Sequence, residues 1–476
     1  MRAIQRAAAG WLCGALLFAS PVFAQDWSPD PWLADLAQMR AAVETKYANR
    51  DWLEQERGVQ LDTLFDRAAR QLREADSDAA ARSVLDRLTR RFADGHVALA
   101  WPAEVAPALL GAASLSPCKA MGFDARQGSP GIAPHLTGYA ALPDDGGLFA
   151  AGIVRVGHTR VGVVRIGAFQ PQAMPALCTA ALAALAIPPE APCNDTCQDR
   201  VLTWANDRMT RGFADRLEAL RKAGARVLMI DVSDNGGGTE WAEAAARMVS
   251  PMPIRSEALG FVRGAHWEKR WRTHADGLRE AAREAAPEDR ARLLDWAAQA
   301  DAARTLAATP CAARSVCIGR VGFATGLVGE APATSFAGKP WADLIFSPAQ
   351  YPYRDAVWHG PLIVLVDDDT GSAAEEFAAV LQDNHAAIVL GQRTGGAGCG
   401  HTDGGTPTAL SNSGSVLELP DCIRFRADGS NEVSGVIPDL PVAMRDSDGP
   451  GLEARLVQPR LAEAVRRARR LRSHVR

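Results

Sequence analysis

Leu362 to Gly400 reads LIVLVDDDTGSAAEEFAAVLQDNHAAIVLGQRTGGAGCG, and the fold turns on this stretch. Leu362 to Val366 is a short unbroken apolar run rich in β-branched residues, the pattern of a strand covered on both faces. An acidic turn, Asp367-Asp368-Asp369-Thr370-Gly371, leads to Ser372 and a helical segment whose Phe377, Val380 and Leu381 share one face. Ala387 to Leu390 reads as a second buried strand, and a glycine-rich loop follows. Ser372 therefore stands where a strand meets a helix N-terminus. Unpaired backbone N–H groups and the helix dipole favour negative charge there. An acyl-transfer enzyme needs its nucleophile in such a place, because its tetrahedral intermediate carries an oxyanion. A serine that only caps a helix fits the same stretch.

Working outward, Val161 to Phe169 (VGVVRIGAF) reads as the first core strand. A helix then runs to about Lys222, with Met209, Phe213, Leu217 and Leu220 on one face and Gly224 as its stop. Val227 to Val232 is the next buried strand and enters Asn235-Gly236-Gly237-Gly238. Glycines there let the backbone turn sharply and approach a ligand closely. Residues 264–309 are charged and alanine-rich, the composition of a helical insertion with a solvated face. The strand–helix alternation predicts α/β layers around a mostly parallel sheet. A basic amphipathic helix from about Leu452 to Arg472, within a terminal segment 446–476, is expected to pack on that core through Leu456, Leu461 and Val465.

The beginning of the chain differs in kind. Arg2 and Arg6 precede an apolar run, Ala7 to Ala19, and Val22-Phe23-Ala24 supplies small residues, so 1–24 reads as a secretory signal cut after Ala24. Cys13 follows Leu12 rather than a small residue, which argues against a lipoprotein anchor. No later apolar stretch is long enough to span a bilayer, so stable membrane insertion is not expected. Residues 25–95 read as a small helical domain with stripes at Leu33, Leu36 and Val43, then Leu61, Leu64, Phe65, Ala68 and Leu72. A third helix, capped by Ser77 or Asp78, carries Val84, Leu85 and Leu88. The domain ends in Asp94-Gly95-His96, and the alternating Val97, Leu99 and Trp101 predict a half-buried strand. Residues 96–160 read as a small β-rich or irregular linking module.

With 476 residues the chain should hold two or three domains, and a net charge of −4 gives no electrostatic reason for nucleic-acid binding. Beyond the signal, eight cysteines remain, an even number that implies disulfides in an exported chain. Local pairing predicts Cys193–Cys197, Cys311–Cys317 and Cys399–Cys422, leaving Cys118 for Cys178. Cys193 and Cys197 have no second ligand pair nearby, so neither a metal site nor a cofactor is expected.

Four motifs occur in order: FADGHVAL (Phe92 to Leu99), VLMIDVSDNGGG (Val227 to Gly238), the TGSAAEEFAAVLQDN…GQRTGG run, and GVIPDL (Gly435 to Leu440). Together they resemble the C-terminal processing, or tail-specific, serine peptidase family. The resemblance implies a crotonase- or ClpP-like layered core, here 161–445, and a polypeptide substrate. Many relatives carry a PDZ domain near 96–160, and no complete pattern for one is visible here. In the tail-specific branch a lysine activates the serine from the loop after the helix. Ala397 stands at that place, and an alanine takes no proton.

The tricorn-core-like branch is the better match. It pairs the serine with a histidine from the helical domain and a glutamate near the end of the core. That likeness implies a triad of Ser372, His96 and Glu432, in which the imidazole accepts the serine proton and the carboxylate fixes its tautomer. Gly95 stands where that branch has a serine. The same likeness implies an oxyanion hole from Gly237, with Gly236 in support, and from Ala373, the residue after the nucleophile. Asp383 matches a helix aspartate of structural character, and His385 and His401 are alternative bases. A non-catalytic binding protein and an esterase-like acyl hydrolase are the competing functional classes. Nothing in the sequence sets the oligomeric state.

Overall fold

The computed structural model describes residues 27–102, 116–124, 130–143, 148–311, 317–445 and 447–473. The expected signal segment 1–24 lies outside the described residues. A seven-stranded sheet runs in the order Leu440–Pro441, Ile388–Gly391, Leu362–Val366, Val227–Asp231, Thr159–Arg165, Ala151–Val156, Ala140–Ala141. The first five strands are parallel to one another and the last two join antiparallel. The mostly parallel α/β core expected from the sequence is therefore what the chain forms. Its two antiparallel edge strands come from the 96–160 region, whose Gly- and Pro-rich composition gave little strand signal.

The unbroken apolar runs follow from the layering. Leu362, Val364 and Val366 face a core shared with the helices Ala373–Asp383 and Trp241–Val249. Ile363 and Leu365, between them in sequence, face a second core on the opposite side, shared with Pro450–Val457 and Leu461–Ser473. Leu228 and Ile230 divide from Val227 and Met229 in the same way. Each fully buried side chain of this size contributes about 1.5–3 kcal/mol, so a polar residue on either face of these strands would be costly. The basic terminal helix packs on this second face through Leu461, Val465 and Ala468 while Arg466 and Arg470 stay exposed.

The N-terminal helices Asp30–Lys46, Leu61–Glu74 and Asp78–Arg90 surround a separate core of Leu36, Val43, Phe65, Leu72 and Leu85. Ser77 caps the third helix by accepting the Ala80 N–H. That core also holds Leu410, Leu417 and Val433, so the beginning of the chain packs on the segment that follows the glycine-rich loop. The strand Ala98–Ala100, just after His96, pairs antiparallel with Val416–Glu418. The expected insertion is a helical hairpin, Ala265–Glu284 and Pro287–Ala308. All four predicted cysteine pairs are bonded. Among the described residues no helix is long and apolar enough to cross a membrane.

Candidate active site

Ser372 is the N-cap of the helix Ala373–Asp383, and its backbone sits at φ 53°, ψ −120°. An N-cap ordinarily takes extended backbone. A non-glycine residue held at positive φ costs about 1–3 kcal/mol and persists only where its surroundings impose it. Ser372 does form a capping box with Glu375, so the capping reading holds as far as it goes. It does not account for the strain. A strained strand-to-helix turn is how hydrolases of several folds expose a nucleophilic serine.

The turn is braced from the neighbouring strand. Gly371 donates its N–H to the Asn235 carbonyl at 3.0 Å, and the Thr370 hydroxyl donates to the Val232 carbonyl at 3.0 Å. The Asp234 N–H reaches both oxygens of Asp367, at 2.9 and 2.8 Å. Burial pushes the Asp367 carboxyl up to about 6 against those hydrogen bonds. Gly237, at φ 110°, lies directly against Ser372. A Cβ there would be 2.7 Å from Ser372 Cβ and 2.8 Å from the Ala373 nitrogen.

Glu375 organises the other wall. Its buried carboxylate accepts the Thr394 hydroxyl at 2.5 Å, the Gly396 and Ala397 N–H groups at 2.7 Å each, and the Ser372 N–H at 3.1 Å. Serine followed three residues later by glutamate is a capping-box pattern, which was the legible signal for this residue. The loop so held presents the Ala397 carbonyl to His96 Nδ1 at 2.7 Å. A carbonyl only accepts, so Nδ1 carries the proton and Nε2 is left as the basic nitrogen. The His96 main chain is fixed separately, its N–H donating to Asp94 Oδ1 at 3.0 Å. The other Asp94 oxygen takes the Tyr47 hydroxyl and the Asn49 amide, each at 2.9 Å.

The His96 ring lies against Gly400, where a Cβ would be 2.9 Å from Nε2 and 3.0 Å from Cδ2 and Cε1. A Cβ at Gly95 would be 3.1 Å from Ala397 Cβ, and one at Gly371 would be 3.9 Å from it. Ala397 thus sits between the loops that carry His96 and Ser372. A side chain at position 95 would therefore press on Ala397.

Two residues have partners other than those expected. Glu432, expected on the imidazole, instead pairs with Arg424 Nε and accepts from Arg424 Nη2 at 3.2 Å. Both residues are buried, and a buried guanidinium needs carboxylate partners more than an imidazole does. The Gly237 N–H, expected to face an oxyanion, donates to Asn235 Oδ1 at 2.9 Å. The N–H groups of Gly236 and Ala373 donate to none of the described residues.

Asp383 is structural, taking Arg426 at 2.6 and 2.9 Å and the Ala427 N–H at 2.9 Å. His385 is exposed at the far end of the helix. His401 is held near His96, ring centres 5.9 Å apart and edge to face, in the loop pinned by Cys399–Cys422. No group of three or more histidine, cysteine or acidic residues among those described could hold a metal ion.

The model of peptidase family S41 matches residues 160–442, more than half of the chain. The chain belongs to peptidase family S41. It is a serine-type peptidase, as the four ordered motifs suggested. Mature CPAF superposes with a TM-score of 0.58 at 14% identity, over 94% of this chain and 98% of that one. Mature CPAF complexed with lactacystin gives a TM-score of 0.59 at 16% identity, over 94% and 99%. At such identities the likeness is one of fold, and it extends over the helical N-terminal region as well as the family core. No curated protein matches the chain.

Proposed function

We propose that this peptidase cleaves polypeptides through an acyl-enzyme on Ser372, with His96 as the base and no cofactor. The reading is carried by two observations: the strained Ser372 turn, and an imidazole whose Nδ1 faces the Ala397 carbonyl, with the loops that carry the two residues both approaching Ala397. In that tautomer Nε2 takes the Oγ proton as Oγ attacks the scissile carbonyl. The negative charge on the former carbonyl oxygen is met by the Ala373 N–H, backed by the helix N-terminus and the Gly236–Gly237 loop. The imidazolium then returns its proton to the leaving amine as the C–N bond breaks, and water, deprotonated by the same nitrogen, releases the acyl group.

Glu432 belongs to this machinery at one remove, through Arg424 rather than through the imidazole. Export to an oxidising compartment is supported by four disulfides, since such bonds persist outside the reducing cytosol.

The test is hydrolysis of a denatured polypeptide by the purified protein and by Ser372→Ala. The proposal expects new peptide termini with the wild type and none with the variant. Turnover of short esters with no cleavage of any polypeptide would move the protein to the esterase class. Binding of polypeptide without turnover of either would make it a binding protein.

A further inference from the structure

Arg424 lies in the strand Cys422–Phe425, is 7% exposed, and has every edge of its guanidinium engaged. Nε faces Glu432, Nη1 donates to Glu376 Oε2 at 2.9 Å, and Nη2 is shared between Glu432 Oε1 at 3.2 Å and main chain. Nη2 lies 3.2 Å from the Ser372 carbonyl oxygen and 2.9 Å from the Gly398 carbonyl oxygen. Two carboxylates would suffice to keep the charge buried. The contacts to the nucleophile's own carbonyl, and to the loop one residue past Ala397, are the unexpected ones.

The Ser372 carbonyl and the Ala373 N–H are two ends of a single planar peptide unit. A cation on the oxygen draws electron density from the nitrogen, and hydrogen bonds linked in this way strengthen one another. It also fixes the plane, and with it the direction in which the N–H points. We propose that Arg424 is a positioning residue that primes the oxyanion hole through the Ser372–Ala373 peptide. Through Gly398 the same guanidinium holds the loop that orients His96. Glu432 and Glu376 keep it in register. A lysine cannot substitute, because one ammonium lacks the planar fork that reaches two carboxylates and two carbonyls together.

This inference rests on Ser372 being the nucleophile, so its test begins with the wild type and Ser372→Ala treated with a fluorophosphonate. If the wild type does not label, the nucleophile assignment fails and Arg424 has no hole to prime. Given a labelled wild type, the inactivation rate constant kinact and the half-saturating concentration KI are measured for Arg424→Lys. They are also measured for the pair Arg424→Gln/Glu432→Gln, which keeps the net charge of the buried cluster unchanged. The expected result is a kinact lower by about tenfold or more, the order of a weakened oxyanion donor, with KI within about twofold and an unchanged circular dichroism spectrum. Wild-type kinact in either folded variant overturns the inference. So does a KI that rises as much as kinact falls, because that would mark a merely structural role.

Discussion

His96 Nδ1 lies 2.7 Å from the carbonyl oxygen of Ala397, the residue that stands where a serine–lysine relative has its lysine. In the proposed mechanism this position supplies a backbone carbonyl to the imidazole that activates the serine. A carbonyl fixes the imidazole tautomer as a carboxylate would, without bringing a charge. Everything that holds Ala397 in place therefore bears on His96.

Gly400 is the most direct steric support of that geometry. A methyl group there would meet three atoms of the His96 ring at 2.9–3.0 Å, on a backbone at φ 76° that alanine adopts only under strain. Gly400→Ala should lower kcat by about 100-fold, the lower end of what a general base contributes, while the protein stays folded. Steady-state kinetics beside a thermal melt check both halves of this expectation.

Glu375 gathers four donors on one buried carboxylate. Glutamine would present an NH2 group to donors that already need an acceptor. With charge-assisted hydrogen bonds contributing about 1.5–3 kcal/mol each, Glu375→Gln should destabilise the fold by about 3 kcal/mol or more. Equilibrium urea unfolding measures the loss, and residual activity should be low even where the variant is folded.

The Cys399–Cys422 bond joins the loop carrying Ala397 to the strand carrying Arg424, across a separation of 23 residues. A loop of that length corresponds to about 3 kcal/mol of chain entropy in the unfolded state. Cys399→Ser/Cys422→Ser should lose stability on that order and, unlike removal of Cys193–Cys197, should also lower turnover. Paired melting and turnover measurements on the two double variants separate the effects.

Glu257 is buried with both oxygens lacking hydrogen bonds, 3.7 and 3.6 Å from Arg424 and Arg426. Burial, reinforced by the Glu432 charge, raises its pKa well above 4.5. A carboxyl whose pKa is raised by folding binds its proton more tightly in the native state. Its contribution is whole below about 4.5 and is lost as pH rises toward the folded value. Glu376, pushed up to about 8 chiefly by burial, acts in the same direction. Glu257→Gln should therefore gain stability relative to wild type over the range in which pH rises above about 4.5. Calorimetric midpoints of the two proteins that run parallel across that range would contradict this.

The sequence disclosed the framework because the framework is made of local patterns. Leu362–Val366 and Val227–Asp231 are uniformly apolar since both faces are covered. Ser372 follows a turn and opens a helix, and three of the four cysteine pairs are local, which leaves Cys118 for Cys178. The 140–156 strands were not legible, because short edge strands in Gly- and Pro-rich sequence have little periodicity. The two residues with unexpected partners share one cause. Whether Glu432 meets His96 or Arg424 depends on a side chain eight positions earlier, in the strand Cys422–Phe425. Whether Gly237 offers its N–H depends on the rotamer of Asn235. Such choices are settled by packing and leave no spacing in the chain.

Intact-mass measurement of the protein after fluorophosphonate treatment, for wild type, Ser372→Ala and His96→Ala, tests the central claim most directly. The account predicts one adduct on the wild type, mapped to Ser372, none on Ser372→Ala, and a rate reduced to background in His96→Ala. A wild-type protein that is folded and unmodified, or a His96→Ala variant that labels at the wild-type rate, would contradict it.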